Sequence, residues 1–222
     1  MKTFVSFITF LIYAAGELEA LTCDGIRTFV DGHNDRRLLL AKGEVEGQPS
    51  ASDMSYMIWD RELAEKAKRF AATFPDDHNP DRSVPSGRFE TGENLFWMST
   101  TDSNYELDPQ SALDSWWSED ENYTYAPIDE SDFDHSKPYQ IGHYTQMAWA
   151  ESMFVGCAIT HRFEEEWKKF YVVCNYGPPG NYIGQYPYQE GSDNPTLTCN
   201  CQKYDENCSC DRPYGRKCSN DE

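Results

Sequence analysis

The octapeptide GHYTQMAW at residues 142–149 sets His143 beside Tyr144, Thr145, Gln146 and Trp149, in a chain with five histidines. An imidazole in such company can serve as a general base, ligate a metal through nitrogen, or close the edge of a core. The other histidines are His33, His78, His135 and His161. A second chemistry-bearing set is formed by Cys23, Cys157, Cys174, Cys199, Cys201, Cys208, Cys210 and Cys218. The C-x-C-x6-C-x-C run from Cys199 to Cys210 matches common zinc spacings poorly. An even number of cysteines behind a leader peptide reads instead as a disulfide framework.

That leader is MKTFVSFITFLIYAAGELEA, with Lys2 ahead of an apolar run from Phe4 to Ala15 and small residues after it. The run is too short to cross a bilayer and has the layout of a secretory signal peptide, with cleavage expected after Ala20. Nothing later in the sequence is long and apolar enough to span. The remaining length of about 200 residues suits one domain and a small appendage. Formal net charge is −19, and −18 once Lys2, Glu17 and Glu19 are removed with the leader. Such acidity repels phosphate backbones and argues against nucleic acid as a partner. The sequons Asn122-Tyr-Thr124 and Asn207-Cys-Ser209 fit a secreted glycoprotein, the second lying among cysteines that pair early.

Several elements must position these groups. Ile26, Phe29, Val30, His33 and Arg37 follow one face of a helix that Gly43 stops. Asp60 is a good N-cap for a second helix through Leu63, Ala64, Ala67, Phe70 and Ala71, ending before Pro75. FPDDHNPDRSVPSG has too many prolines for a helix and carries His78 on an irregular loop. A third helix opens with Asp108 as cap and Pro109 at its first position, with Leu113, Trp116 and Trp117 on its apolar side. GHYTQMAW reads as a short helix, and FVGCAIT and KFYVVCNYG as two strands joined by the polar HRFEEEWK. Helices with a late antiparallel pair predict an α+β domain of helix layered on sheet. Cys157 and Cys174 lie on the two strands and are expected to pair. Five cysteines then remain in the tail, so full oxidation within the chain requires Cys23 to bond to one of Cys199, Cys201, Cys208, Cys210 or Cys218. The tail from residue 189, poor in apolar residues, needs such cross-links to order.

GHYTQMAWAES at 142–152 and YVVCNYGPPGNY at 171–182 resemble the two signature segments of the CAP superfamily of cysteine-rich secretory, venom-allergen and plant pathogenesis-related proteins. The likeness continues in HNDRR at 33–37, MIWDRELAEKAKRFA at 57–71, TGENLFW at 91–97 and SWWSEDENY at 115–123. It covers nearly all of 24–188, and AKGEVEGQPSASDMSYMIWD is most similar to arthropod venom-allergen-like members. The resemblance implies a three-layer α-β-α sandwich over 21–188, a cysteine-rich extension over 189–222, and a cleft lined by two histidines and two acids. These fall on His78, Glu93, Glu119 and His143, with Glu121 two residues beyond Glu119. Phe74 stands in the region before His78 where the family commonly has a cysteine.

Two imidazoles in one cleft could hold Zn²⁺ or another divalent cation, with Glu93 and Glu119 orienting them from behind. Family likeness further implies a secreted venom or salivary component that binds an extracellular protein target, or a sterol or fatty acid. Phe133, Tyr139 and Tyr144 are the aromatic pointer to lipid. Ion-channel modulation is also a family theme, but there it belongs to a larger cysteine-rich C-terminal domain. A zinc-dependent hydrolase using Glu93, Glu119 and His143 is the catalytic alternative. Against it, neither HExxH nor GxSxG is present, and a serine triad would have to be built on Ser152. Binding is therefore the expected mode. His33, with Asn34 and Arg37, is expected in a buried polar network; His135 and His161 in solvated loops; Trp59, Trp116 and Trp117 in the core; and Gln146 and Tyr144 hydrogen-bonded within the cleft.

Overall fold

The computed structural model describes residues 21–134, 136–191, 195–216 and 218. The expected leader and His135 lie outside the described residues. Helix α1, Cys23–Lys42, starts where the Thr22 hydroxyl accepts from Gly25 N. It ends at Gly43, whose φ of 70° lets its N–H return to the Leu39 and Leu40 carbonyls. Glycine adopts that left-handed conformation without strain. In α2, Arg61–Ala71, the Asp60 carboxylate accepts from Leu63 N at 2.9 Å, so the predicted cap is the one used. Helix α3 is Gln110–Trp117, one residue later than expected, although Asp108 Oδ1 still accepts from Gln110 N. Helix α4 is the short Gly142–Met147.

The sheet holds β1 (Ile58–Trp59), β2 (Gly92–Thr100), β3 (Phe154–Glu164) and β4 (Trp167–Gly177), in the order β1-β3-β4-β2. Only β1 and β3 run parallel. The predicted pair β3–β4 is present and longer than expected. HRFEEEWK is mostly strand, leaving a turn of two residues between Glu164 and Trp167. His161 consequently sits on β3, its ring against Phe163 and Phe170, rather than in a solvated loop.

Period-two alternation divides the strands between two helical layers. Leu95, Ala158 and Val173 face Ala67 and Ala71 of α2. Val155, Val172, Cys174 and Tyr176 face Phe29 and Val30 of α1, Leu113 and Trp116 of α3, and Met147 of α4. The result is the α-β-α sandwich. Helix α2 lies directly on β3, where a Cβ added to Gly156 would stand 2.2 Å from Ala64 N.

The polar network behind α1 locks the layers together. His33, Asn34 and Arg37 are all buried. Asn34 exchanges hydrogen bonds with both the N–H and the carbonyl of Met57 at 2.8 Å. Arg37 donates to five carbonyls, those of Ser55, Met147, Trp149, Ala150 and Ser152. Burial still lowers its pKa to about 9.

Cys157 pairs with Cys174 and Cys23 with Cys218, while Cys199–Cys210 and Cys201–Cys208 nest within the tail. The tail packs along β1: Cys201 is buried against Ile58, Leu63 and Phe154, and Trp59 N donates to the Pro213 carbonyl at 2.6 Å. Among the described residues no helix is long and apolar enough to cross a membrane.

Candidate functional site

Four elements bring the tetrad together. His78 comes from the proline-rich loop after α2, which buried Lys66 ties down by donating to the carbonyls of Asp81 and Ser83. Trp97 of β2 holds the same loop through its indole N–H on the Pro75 carbonyl at 2.7 Å. Phe74, four residues before His78, is anchored by its ring on Tyr171 and under the Arg162 guanidinium. Glu93 enters from β2, Glu119 from the 3-10 turn Ser118–Asn122 that extends α3, and His143 from α4. His78, Glu93 and His143 line one cleft of about 700 Å³.

Within it stand two carboxylate–imidazole pairs of the same design. Glu93 Oε1 faces His78 Nδ1 at 2.9 Å and also accepts from Asn79 N at 2.9 Å. Its Oε2 accepts from the Asn175 amide at 3.0 Å. Glu119 Oε1 faces His143 Nδ1 at 2.6 Å, and its Oε2 accepts from the backbone N–H of His143 and Tyr144 at 2.9 and 3.1 Å. The Trp116 ring stacks on His143 with centroids 6.3 Å apart, and the His143 carbonyl receives the Asn94 amide at 3.1 Å. A carboxylate can only accept here, so each Nδ1 carries a hydrogen and Nε2 is the nitrogen left for ligation.

The donor chemistry fits a divalent cation: two oriented imidazole nitrogens, each with a carboxylate behind it, in an acidic cleft whose rim includes Asp76, Asp77 and Glu90. Among the described residues, the only three potential ligands whose donor atoms converge within 4.8 Å are the sulfurs of Cys199, Cys201 and Cys210. Those are spent in disulfides. The tetrad therefore offers two ligands with their supports, not a closed cage.

Residues 30–176 match the family model described as "CAP: Cysteine-rich secretory protein family". The chain belongs to the CAP family. Venom allergen 5 of Rhynchium brunneum is 38% identical over 176 residues, covering 73% of this CAP chain and 72% of that protein. The solved structure of Na-ASP-1 superposes with a TM-score of 0.66 at 26% identity, covering 89% of this chain and 49% of its own. NaASP2, solved with Zn²⁺, gives a TM-score of 0.61 at 29% identity over 76% of this chain and 86% of its own.

Other expected residues of the CAP fold land as follows. Gln146 works in the cleft wall, its Oε1 accepting from Gly180 N at 2.9 Å and its amide donating to Ser152 Oγ at 3.0 Å. Ser152 is buried, and its hydroxyl donates to the Pro178 carbonyl at 2.8 Å. Tyr144 corrects an expectation: it is fully buried, its ring packs on Trp117 and Tyr123, and its hydroxyl has no hydrogen-bond partner among the described residues. Trp116 fills core as expected, with its indole N–H on the Leu95 carbonyl, whereas Trp59 and Trp117 are only partly buried. Phe133 lines the cleft while Tyr139 is exposed, so the three suggested lipid aromatics do not converge. Asn122 and Asn207 are both exposed. Sequence reasoning missed Asn175, whose only signal was its place in the CNYG segment.

Proposed function

We propose that this chain is a secreted binding protein of venom-allergen type whose cleft holds one divalent cation, Zn²⁺ for preference, between Nε2 of His78 and Nε2 of His143. The observation that carries the reading is the doubled carboxylate–imidazole pair, which fixes both tautomers with the ligating nitrogen free. When bound, the cation would present open coordination positions to a side chain of an extracellular protein target. The acidic rim favours a target segment that is itself basic.

Binding is favoured over hydrolysis by the state of the acids. Glu93 and Glu119 each accept three hydrogen bonds spread over both oxygens. A base so engaged has little capacity to take a proton from water. Buried Ser152, with its hydroxyl committed, offers no nucleophile to the cleft. The test is turnover of ester and peptide substrates by the zinc-loaded protein. No turnover above that of His143→Ala is expected, and turnover lost in that variant would overturn the binding reading.

A further inference from the structure

Among the described residues, strand pairing on the outer side of β3 extends over two residues only. β1 pairs with Phe154 and Val155 and then turns into α2, while β4 follows β3 on its inner side to Glu164. The direction of the next peptide groups follows from two observations. Cys157 and Cys174 face each other with Cα atoms 4.1 Å apart, the spacing of an antiparallel pair that exchanges no hydrogen bonds. The N–H and carbonyl of Cys157 therefore point away from β4. The β1 side gives the same parity, because the Val155 carbonyl, two residues earlier, accepts from Asp60 N at 2.8 Å. Ile159 is next in the alternation. Among the described residues, no backbone or side-chain group from outside the sheet hydrogen-bonds to the backbone of Cys157 or Ile159.

That unpaired edge, at buried Cys157 and Ala158, floors a cavity of about 480 Å³. Its apolar walls are Leu21 and Ile26 at the start of α1, Ala64 of α2, and Trp59 and Tyr214. Tyr214 is held by its hydroxyl on Asp31 at 2.9 Å, and the tail beside it by the Cys23–Cys218 disulfide. Among the described residues, Arg61, Lys68 and Arg216 line the cavity with one acid, Glu65. In a chain of net charge −19 this is a local excess of cations. The cavity shares no lining residue with the histidine cleft.

We propose that this groove is a second binding site, which takes an extended acidic peptide segment of another protein by strand addition. The incoming backbone pairs with Cys157 and Ile159 where β1 would have continued. An apolar side chain enters the cavity, and flanking carboxylates meet Arg61, Lys68 and Arg216. A row of outward peptide groups is satisfied by another backbone, which separates this occupant from a small amphipathic anion that could fill the volume but not the ladder.

The probe is the fluorescein-labelled, end-capped peptide EEVFVEE, titrated with the full chain by anisotropy. Saturable binding is expected, at least tenfold weaker when alternate backbone amides are N-methylated or when lysine replaces each glutamate. The double variant Arg61→Glu/Lys68→Glu is expected to lose tenfold or more with an unchanged melting temperature, and Ala64→Trp, which fills the cavity, to compete with the peptide's apolar residue. His143→Ala should leave this binding intact while weakening or abolishing cation binding in the cleft, so failure of one reading is distinguishable from failure of the other. Absence of saturable binding overturns the proposal. So does binding indifferent to N-methylation, or displacement of the peptide by decanoate with both peptide forms bound equally; the last result would assign the groove to small amphipathic anions.

Discussion

His33 and His143 sit on facing elements of the same layer, yet they are used in opposite ways. Both nitrogens of His33 are spent: Nδ1 donates to the Phe29 carbonyl at 2.7 Å and Nε2 accepts from the Tyr176 hydroxyl at 2.9 Å. Burial drives its pKa down to about 3. His143 spends only Nδ1, on Glu119, and keeps a quarter of its side chain exposed at the cleft. His78 repeats that pattern with Glu93 and is more exposed still. A histidine with both nitrogens satisfied inside the protein holds structure together. One with a carboxylate on a single nitrogen has its other nitrogen left for ligation.

The strongest way to break the contrast is to remove the centre of the buried network. Arg37→Met leaves five carbonyls without their donor and is expected to cost about 3–5 kcal/mol in denaturant unfolding. A loss under about 1 kcal/mol would mean the network is not what locks the layers.

Acid should then separate the histidine classes. The folded-state pKa of His33 is depressed, so its contribution is complete above the unfolded value near 6.5 and is lost as pH falls towards about 3. In that window it adds up to about 1.4 kcal/mol of lost stability per pH unit. His33→Gln should flatten the acid limb of the stability curve by that increment, and an identical limb would contradict the neutral buried state. In the cleft, Glu119→Gln removes the charge that fixes the His143 ring, and zinc affinity should fall about 10–100-fold. The smallest effect is assigned to His161→Ala on β3, expected to leave zinc affinity unchanged and stability within about 1 kcal/mol.

How much of this was legible in the sequence differs between the two regions. The α1 face and its Gly43 stop, the Asp60 cap and the β3–β4 pair follow from periodicity and cap chemistry that act over a few residues. The pairing of Cys23 to the tail follows from parity of the cysteine count, but that count cannot choose Cys218 over its four rivals or order the nested pairs. β2 escaped notice because residues 91–95 are buried on both faces, which erases the alternation that marks a strand, and β1 is only two residues long. His161 was misplaced because the charged HRFEEEWK segment reads as loop although most of it pairs in the ladder. The tetrad could not be read from spacing at all. His78 and His143 are 65 positions apart, and only motif resemblance placed them in one cleft. The roles of Asn175 and of the backbone N–H groups of residues 79, 143 and 144 depend on geometry that no motif encodes.

The central claim is that His78 and His143 together, and no other histidine, hold the cation. Calorimetric titration of Zn²⁺ into metal-stripped protein tests it most directly, run on the unmodified chain, His78→Ala, His143→Ala and His33→Gln. One site per chain is expected, weakened about 100-fold or lost in each of the two cleft variants and retained in His33→Gln. Equal affinity in the unmodified chain and the His78→Ala/His143→Ala double variant would contradict it.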